Sequence, residues 1–128
     1  MFSHIMLGSN DIARSKRFYD AILGAMGCAP AEPNAKGRLA YTHRGGRLMI
    51  TKPLNGEPAT GGNGSTIGFA AASPEEADAW HKAGVANGGE AIEDPPGVRH
   101  TPNGDLYLAY LRDPDGNKLC ALYVMPAK

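Results

Sequence analysis

The sequence predicts an α+β domain built from two βαβββ modules, whose strands form curved, mostly antiparallel sheet around a cleft. Three observations predict it. An apolar run of period two passes into a run near helical period at the N-terminus, and again 62 residues later. Each helical run has a capping residue before it and glycines after it. The chain closes on strand, turn and strand: "DLYLAYL", "RDPDGN", "KLCALYV".

Residues 2–7 make the first strand, with Ile5 and Leu7 on one face and Phe2, His4 and Met6 on the other. Asn10 or Asp11 caps the first helix. Ile12, Ser15, Phe18, Tyr19, Ile22 and Leu23 form its buried stripe, and Gly24 and Gly27 end it. Residues 27–37 are a loop by their Pro, Gly and Asn content, and strands follow at 38–43 and 47–52 around an "RGG" turn.

The longest loop, residues 53–65, holds four glycines, two prolines and two asparagines, and reads as a linker or as a mobile rim over a site. Residues 66–71 start the second half as a strand. "SPEE" then combines an N-cap serine, a proline at the first helical position and a glutamate three residues past the cap. Ala77, Trp80, Gly84 and Val85 give this helix its inner face, and "NGG" ends it. A short strand at 90–93 and a polar loop at 94–104 lead into the closing hairpin.

At an offset of 62, Ile5 meets Ile67, Leu7 meets Phe69, Asp11 meets Ser73, Phe18 meets Trp80 and Gly27 meets Gly89. A repeat of this length is two modules rather than a solenoid. Module one is expected over about 1–53, a glycine-rich linker over about 54–65 and module two over about 66–128. Ile5, Leu7, Leu48, Ile50, Ile67, Phe69, Leu119 and Ala121 should face the helices. The opposite face carries His4, Met6, Met49, Thr51, Thr66, Gly68, Cys120 and Leu122 and should curve around a ligand.

Composition narrows the function classes. Thirteen basic and thirteen acidic residues leave no formal net charge, and no dense Lys/Arg cluster exists, so no nucleic-acid partner is expected. No apolar run approaches the roughly 20 residues that span a bilayer, and no signal peptide is legible, so a cytoplasmic protein without membrane contact is expected. Cys28 and Cys120 have neither zinc-knuckle spacing nor the number for a disulfide framework.

Three stretches in order, "HIMLGSNDIARSKRFYDAILG", "STIGFAAASPEEADAWHKAGVANGG" and "YLAYLRDPDGNKLCALY", resemble the vicinal oxygen chelate superfamily. This group includes glyoxalase I, bleomycin-resistance proteins and extradiol dioxygenases. The resemblance implies paired βαβββ modules around a cleft, a homodimer, and in many members a divalent metal (Ni, Zn, Mn or Fe) held by two positions from each module. Carried onto this chain, those positions are His4, Thr51, Thr66 and Cys120.

Divalent ions of this kind want imidazole, carboxylate or thiolate. His4 and Cys120 qualify, so a metal would rest on these two. Thr51 and Thr66 stand where glutamate and histidine would be expected, and no tight cofactor is expected. The cleft would then bind a small molecule through His4, Thr51, Thr66, Tyr107, Cys120, Arg38 and Tyr41. In the last hairpin, Tyr107 should share the face of Cys120 and point inward, with Tyr110 outward.

Arg38, Arg47 and Arg99 are candidates for a carboxylate or phosphate. His43, His81 and His100 have no partner spacing, and His81 should be exposed. Three functions follow: metal-free binding of a small, partly apolar compound; a metal-dependent glyoxalase-like lyase or dioxygenase; or a metal-free enzyme using His4, Tyr107 or Cys120. The first is the leading expectation, with specificity in loops 27–37, 53–65 and 94–104.

Overall fold

The computed structural model describes residues 1–127. Lys128, assigned above to the second module, lies outside the described residues. The elements run β1 (Ile5–Gly8), α1 (Ile12–Gly24), β2 (Leu39–His43), β3 (Gly46–Thr51), β4 (Ile67–Ala70), α2 (Pro74–Ala86), β5 (Glu90–Ala91), β6 (Gly97–Thr101), β7 (Gly104–Arg112) and β8 (Lys118–Val124). The α+β class holds.

The strands form two sheets. The first has the order β1-β3-β2. The second has the order β4-β8-β7-β5, with β6 also paired to β7. In each sheet the first strand runs parallel to the last, β1 with β3 and β4 with β8, and the other pairs are antiparallel.

The first half carries two strands after its helix, one fewer than the βαβββ expectation. Residues 28–37 contain Pro30, Pro33 and Gly37 and stay irregular, because proline cannot donate to a ladder. The second half gains a strand. Residues 97–101, expected in a polar loop, form β6 and pair with β7 from Gly97↔Leu108 to Thr101↔Gly104.

Both helices form for the expected reasons. Asp11 caps α1, its carboxylate accepting from Arg14 N, and Ser15, Phe18, Tyr19, Ile22 and Leu23 are buried. Ser73 caps α2 by accepting from Glu76 N. Ala77, Trp80 and Gly84 are its buried residues, whereas Val85 is 49% exposed. Cys28 N reaches Leu23 O, and Gly89 N reaches Gly84 O, so both helices close with the same long return bond.

The helices pack against each other and back onto the strands. A Cβ on Gly84 would lie 2.3 Å from Leu111 Cδ1 and 3.3 Å from Phe18 Cε1, so the close helix contact requires glycine there. Phe18, Tyr19 and Trp80 are fully buried at this junction. The Trp80 indole N–H has no hydrogen-bond partner among the described residues.

The faces follow the register. Ile5↔Leu48 and Leu7↔Ile50 lie toward α1, and Ile67↔Leu119 and Phe69↔Ala121 toward α2, as the alternation predicts.

Candidate functional site

The "DPDG" turn builds the contact between the halves. Asp113 is 4% exposed. Its carboxylate accepts from Tyr19 Oη at 2.5 Å, Asn117 Nδ2 at 2.8 Å, and the backbone N–H groups of Asp115 and Asn117 at 2.9 Å. Burial, followed by the Asp113 charge and hydrogen bond, pushes the Tyr19 phenol well above its ordinary value, so it stays a donor.

Asp115 reaches the start of α1. It accepts from Asn10 N and from Arg14 Nη2, each at 2.8 Å, and from Ser15 Oγ at 3.2 Å. The glycine-rich loop is docked here too. Asn10 exchanges two hydrogen bonds with Ala59. A Cβ on Gly61 would meet Gly116 O at 2.1 Å, so the loop approaches the turn closer than any other residue allows.

The expected binding residues are not brought to one place. His4 precedes β1, is exposed, and shares a hydrogen bond between Nδ1 and Ser3 Oγ at 2.8 Å. Thr51 pairs with Gly8, at the opposite end of β1 from His4. Its hydroxyl accepts from Arg38 Nε at 3.1 Å and donates to Lys52 O at 3.0 Å, so Arg38 and Thr51 satisfy each other. Thr66 is exposed just before β4.

Cys120 is 7% exposed and lies opposite Gly68 and Tyr110 inside the second sheet. Burial pushes its thiol up, away from the thiolate that a nucleophile or metal ligand needs. No hydrogen bond joins it to His4.

Tyr107 is a correction. It pairs with Tyr123, three positions along from the Tyr110↔Cys120 pair and therefore on the opposite face, and so faces the helices with Ala109 and Leu111. Tyr110 shares the face of Cys120. The Tyr107 hydroxyl donates to Asp78 of α2 at 2.7 Å, and that bond, with some burial, pushes its pKa to about 12. A phenol held this way is a poor acid–base group near neutral pH.

Three further side chains depart from expectation. His81 is half-buried rather than exposed, and burial lowers its pKa. His43 Nε2 bonds Met26 O at 2.9 Å, and His100 Nδ1 bonds Asp105 at 2.8 Å.

The donor set does not fit a divalent ion. The register makes Met6↔Met49 equivalent to Gly68↔Cys120, so the first-half counterpart of Cys120 is Met49, not Thr51. An imidazole, a thioether, two neutral threonines and a protonated thiol are a poor donor set for these ions, and they are not gathered at one point. No group of three or more His, Cys, Asp or Glu side chains that could hold a metal exists among the described residues.

The larger cavity lies at the seam between the sheets, not on the open face that the alternation suggested. Its volume is about 330 Å³, within the range of small-molecule sites. The buried floor comes from α1, the turn after it and the first sheet: Leu23, Met26, Tyr41 and Leu48. Ile67, Gly68, Phe69 and Ala70 of β4 form the far wall, and the exposed His4, Arg44 and Arg47 stand at the mouth.

Of the expected binding residues, His4, Tyr41 and the anion candidate Arg47 line this cavity; Arg38, Thr51, Thr66, Tyr107, Cys120 and Arg99 do not. The Tyr41 hydroxyl already donates to Asp20 at 2.7 Å. Burial opposes the Asp20 charge, but hydrogen bonds from Lys16, Tyr41 and Ala31 N hold its carboxyl below the ordinary range. Cys28 adds a thiol to the lining, and burial with nearby Asp20 pushes it up. Leu23, Met26 and Leu48 read as core in the sequence, so nothing there marked them as cavity walls. A second, more polar hollow of about 210 Å³ lies between β1, the glycine-rich loop and Lys118.

The family model described as the Glyoxalase/Bleomycin resistance protein/Dioxygenase superfamily matches residues 1–121. The crystal structure of a glyoxalase/bleomycin resistance protein from Albidiferax ferrireducens T118 is 59% identical, covers 96% of this chain and 98% of its own, and superposes with a TM-score of 0.92. The fold is also shared with a glyoxalase/bleomycin resistance protein/dioxygenase family enzyme from Burkholderia phytofirmans PsJN (18% identity, 96% and 98% coverage, TM-score 0.74). A glyoxalase-related enzyme from Fulvimarina pelagi gives 22% identity, 96% and 88% coverage and a TM-score of 0.71. No curated protein matches.

Proposed function

The chain belongs to the glyoxalase/bleomycin resistance protein/dioxygenase superfamily, and from that premise we propose that it binds a small, largely apolar organic molecule without a metal. The observation that carries this reading is the seam cavity of about 330 Å³ with a floor of Leu23, Met26 and Leu48. Burying apolar ligand surface there contributes roughly 25 cal/mol per Å² before the costs of association.

The chemistry of the candidate groups supports binding over turnover. Cys120 favours the thiol, Tyr107 is committed to Asp78, and Thr51 to Arg38. Among the described residues no helix is long and apolar enough to cross a membrane. The proposal extends to a homodimer, supported by the exposed Phe2, Met6, Val98 and Val124. Sedimentation equilibrium reads that part.

The test is calorimetric titration with naphthalenemethanol, a neutral apolar probe, in the presence of chelator. Saturable binding at one site per chain is expected, with the same affinity when chelator is omitted. Leu23→Trp, which fills the floor, should remove it while leaving a cooperative unfolding transition. Stoichiometric uptake of nickel, zinc, manganese or iron that is lost in His4→Ala would establish the metal-dependent alternative instead. Turnover of hemithioacetals or catechols by protein held in chelator would establish a metal-free enzyme.

A further inference from the structure

Resting on that cavity reading, we infer that the ligand carries one carboxylate, taken at the cavity mouth by Arg47 with His4 beside it. The chain as a whole is balanced, with thirteen basic and thirteen acidic residues. The cavity lining is not. Arg44, Arg47, His4 and His43 contribute to it, and no Asp or Glu does. An apolar floor under a cationic mouth matches an amphipathic anion.

The basic groups are not equivalent. Arg44 is already committed: its guanidinium binds the Glu76 carboxylate at 2.7 and 3.2 Å and also reaches Met26 O at 3.1 Å. His43 spends Nε2 on Met26 O. These two are fixed walls of the mouth. Arg47 is different. It is exposed on β3, and none of the ion pairs or side-chain hydrogen bonds among the described residues uses it.

One residue before the first paired position of β1, His4 stands at the level of Arg47. Its Nδ1 is engaged by Ser3 Oγ, which leaves Nε2 unpartnered. A guanidinium fork fits a carboxylate through two parallel N–H···O bonds, and the neighbouring imidazole nitrogen adds a third polar contact. A single available arginine suits a monoanion better than a phosphate dianion. The carbon part of the ligand then falls on Leu23, Met26 and Leu48.

The experiment compares naphthoate with naphthalenemethanol, the neutral analogue, by calorimetry at low and high salt. Naphthoate should bind about tenfold tighter or more, and its advantage should shrink at high salt. Arg47→Gln should bring naphthoate down to the level of the alcohol and leave the alcohol unchanged, and Arg47→Lys should restore only part. Arg99→Gln, outside the cavity, should change neither.

Equal affinity for the two probes, or an Arg47→Gln variant that weakens both alike or neither, overturns the carboxylate inference while the binding reading stands. Naphthoate binding that survives Leu23→Trp places the anion elsewhere and overturns it too. No binding of either probe overturns the binding reading and the inference with it.

Discussion

The β7–β8 turn reaches the first turn of α1, and the β2–β3 turn reaches the first turn of α2. Each half of the chain therefore holds the start of the other half's helix. The contacting residues are equivalent by position. Arg14 and Glu76 are 62 apart, as are Ile5 and Ile67, and Arg44 and Asp115 are 71 apart, as are Leu48 and Leu119. The charges are swapped: Arg14 of α1 binds Asp115, whereas Glu76 of α2 binds Arg44.

The swap has a physical consequence. If the first half's turn met its own type of helix, Arg44 would face Arg14, and in the second half Asp115 would face Glu76. Like charges at that distance repel, so only the pairing of unlike halves is favoured.

The two contacts also differ in depth. The Asp115 side chain is fully covered, and Asp113 behind it is wired to four donors. Arg44 is 43% exposed at its side chain and sits at φ +50, left-handed backbone that disfavours a residue with a Cβ. Gly45 follows at φ +80 and completes the tight two-residue turn.

Breaking the buried contact should cost most. Asp113→Ala leaves Tyr19 Oη, Asn117 Nδ2 and two backbone N–H groups without their acceptor, and should lower unfolding free energy by about 3 kcal/mol or more. Urea unfolding measures it, and a loss below about 1 kcal/mol would show that the turn does not depend on this carboxylate.

The charge swap itself can be sharpened next. Asp115→Arg should destabilise by about 1–2 kcal/mol through lost hydrogen bonds and repulsion from Arg14. Adding Arg14→Glu should recover part of that loss. A double-mutant cycle with no coupling would remove the electrostatic account.

The smallest effect should come from the exposed contact. Arg44→Gly gives up the ion pair but relieves the left-handed backbone, so the thermal midpoint should barely move. Its pH dependence is the better readout. Burial opposes the Glu76 charge, but Arg44 and the Ala72 N–H hold the carboxyl below its ordinary 4.5 in the folded protein. A lowered folded-state pKa means stability that is present above the unfolded value and lost as pH falls through the folded one. Arg44→Gly should flatten that acid-side loss, which unfolding measured across the acid range would detect.

The buried stripe of α1, both helix caps and the helix-facing residues of β1, β3, β4 and β8 were legible because local chemistry fixes them. Asp11 and Ser73 cap through their own side chains, and alternation places Ile5, Leu48, Ile67 and Leu119 on one side whatever the neighbours are. "GVRHTPNGDLYL" carried a hairpin signal, alternation around Pro102–Asn103, that the polar composition of 94–104 obscured.

The face of Tyr107 was different. The turn from 113 to 117 pairs Arg112 with Lys118, so even-numbered residues of β7 meet even-numbered residues of β8. A one-residue error in that register moves every side chain to the other face, and it exchanged Tyr107 for Tyr110.

The family, the α+β class, the two capped helices and the apolar side of β1, β3, β4 and β8 are legible in the chain, because these follow from periods and caps a few residues long. What those surfaces enclose depends on how elements far apart in the chain pack together. His4 and Arg47 line one cavity because β1 pairs with β3, and the floor of Leu23, Met26 and Leu48 becomes a cavity wall only because β4 of the other half stands across from it. Sidedness is a local property of the chain. A cavity is set by the distance between elements that are remote in sequence, and here buried side chains of the turns and helices hold that distance.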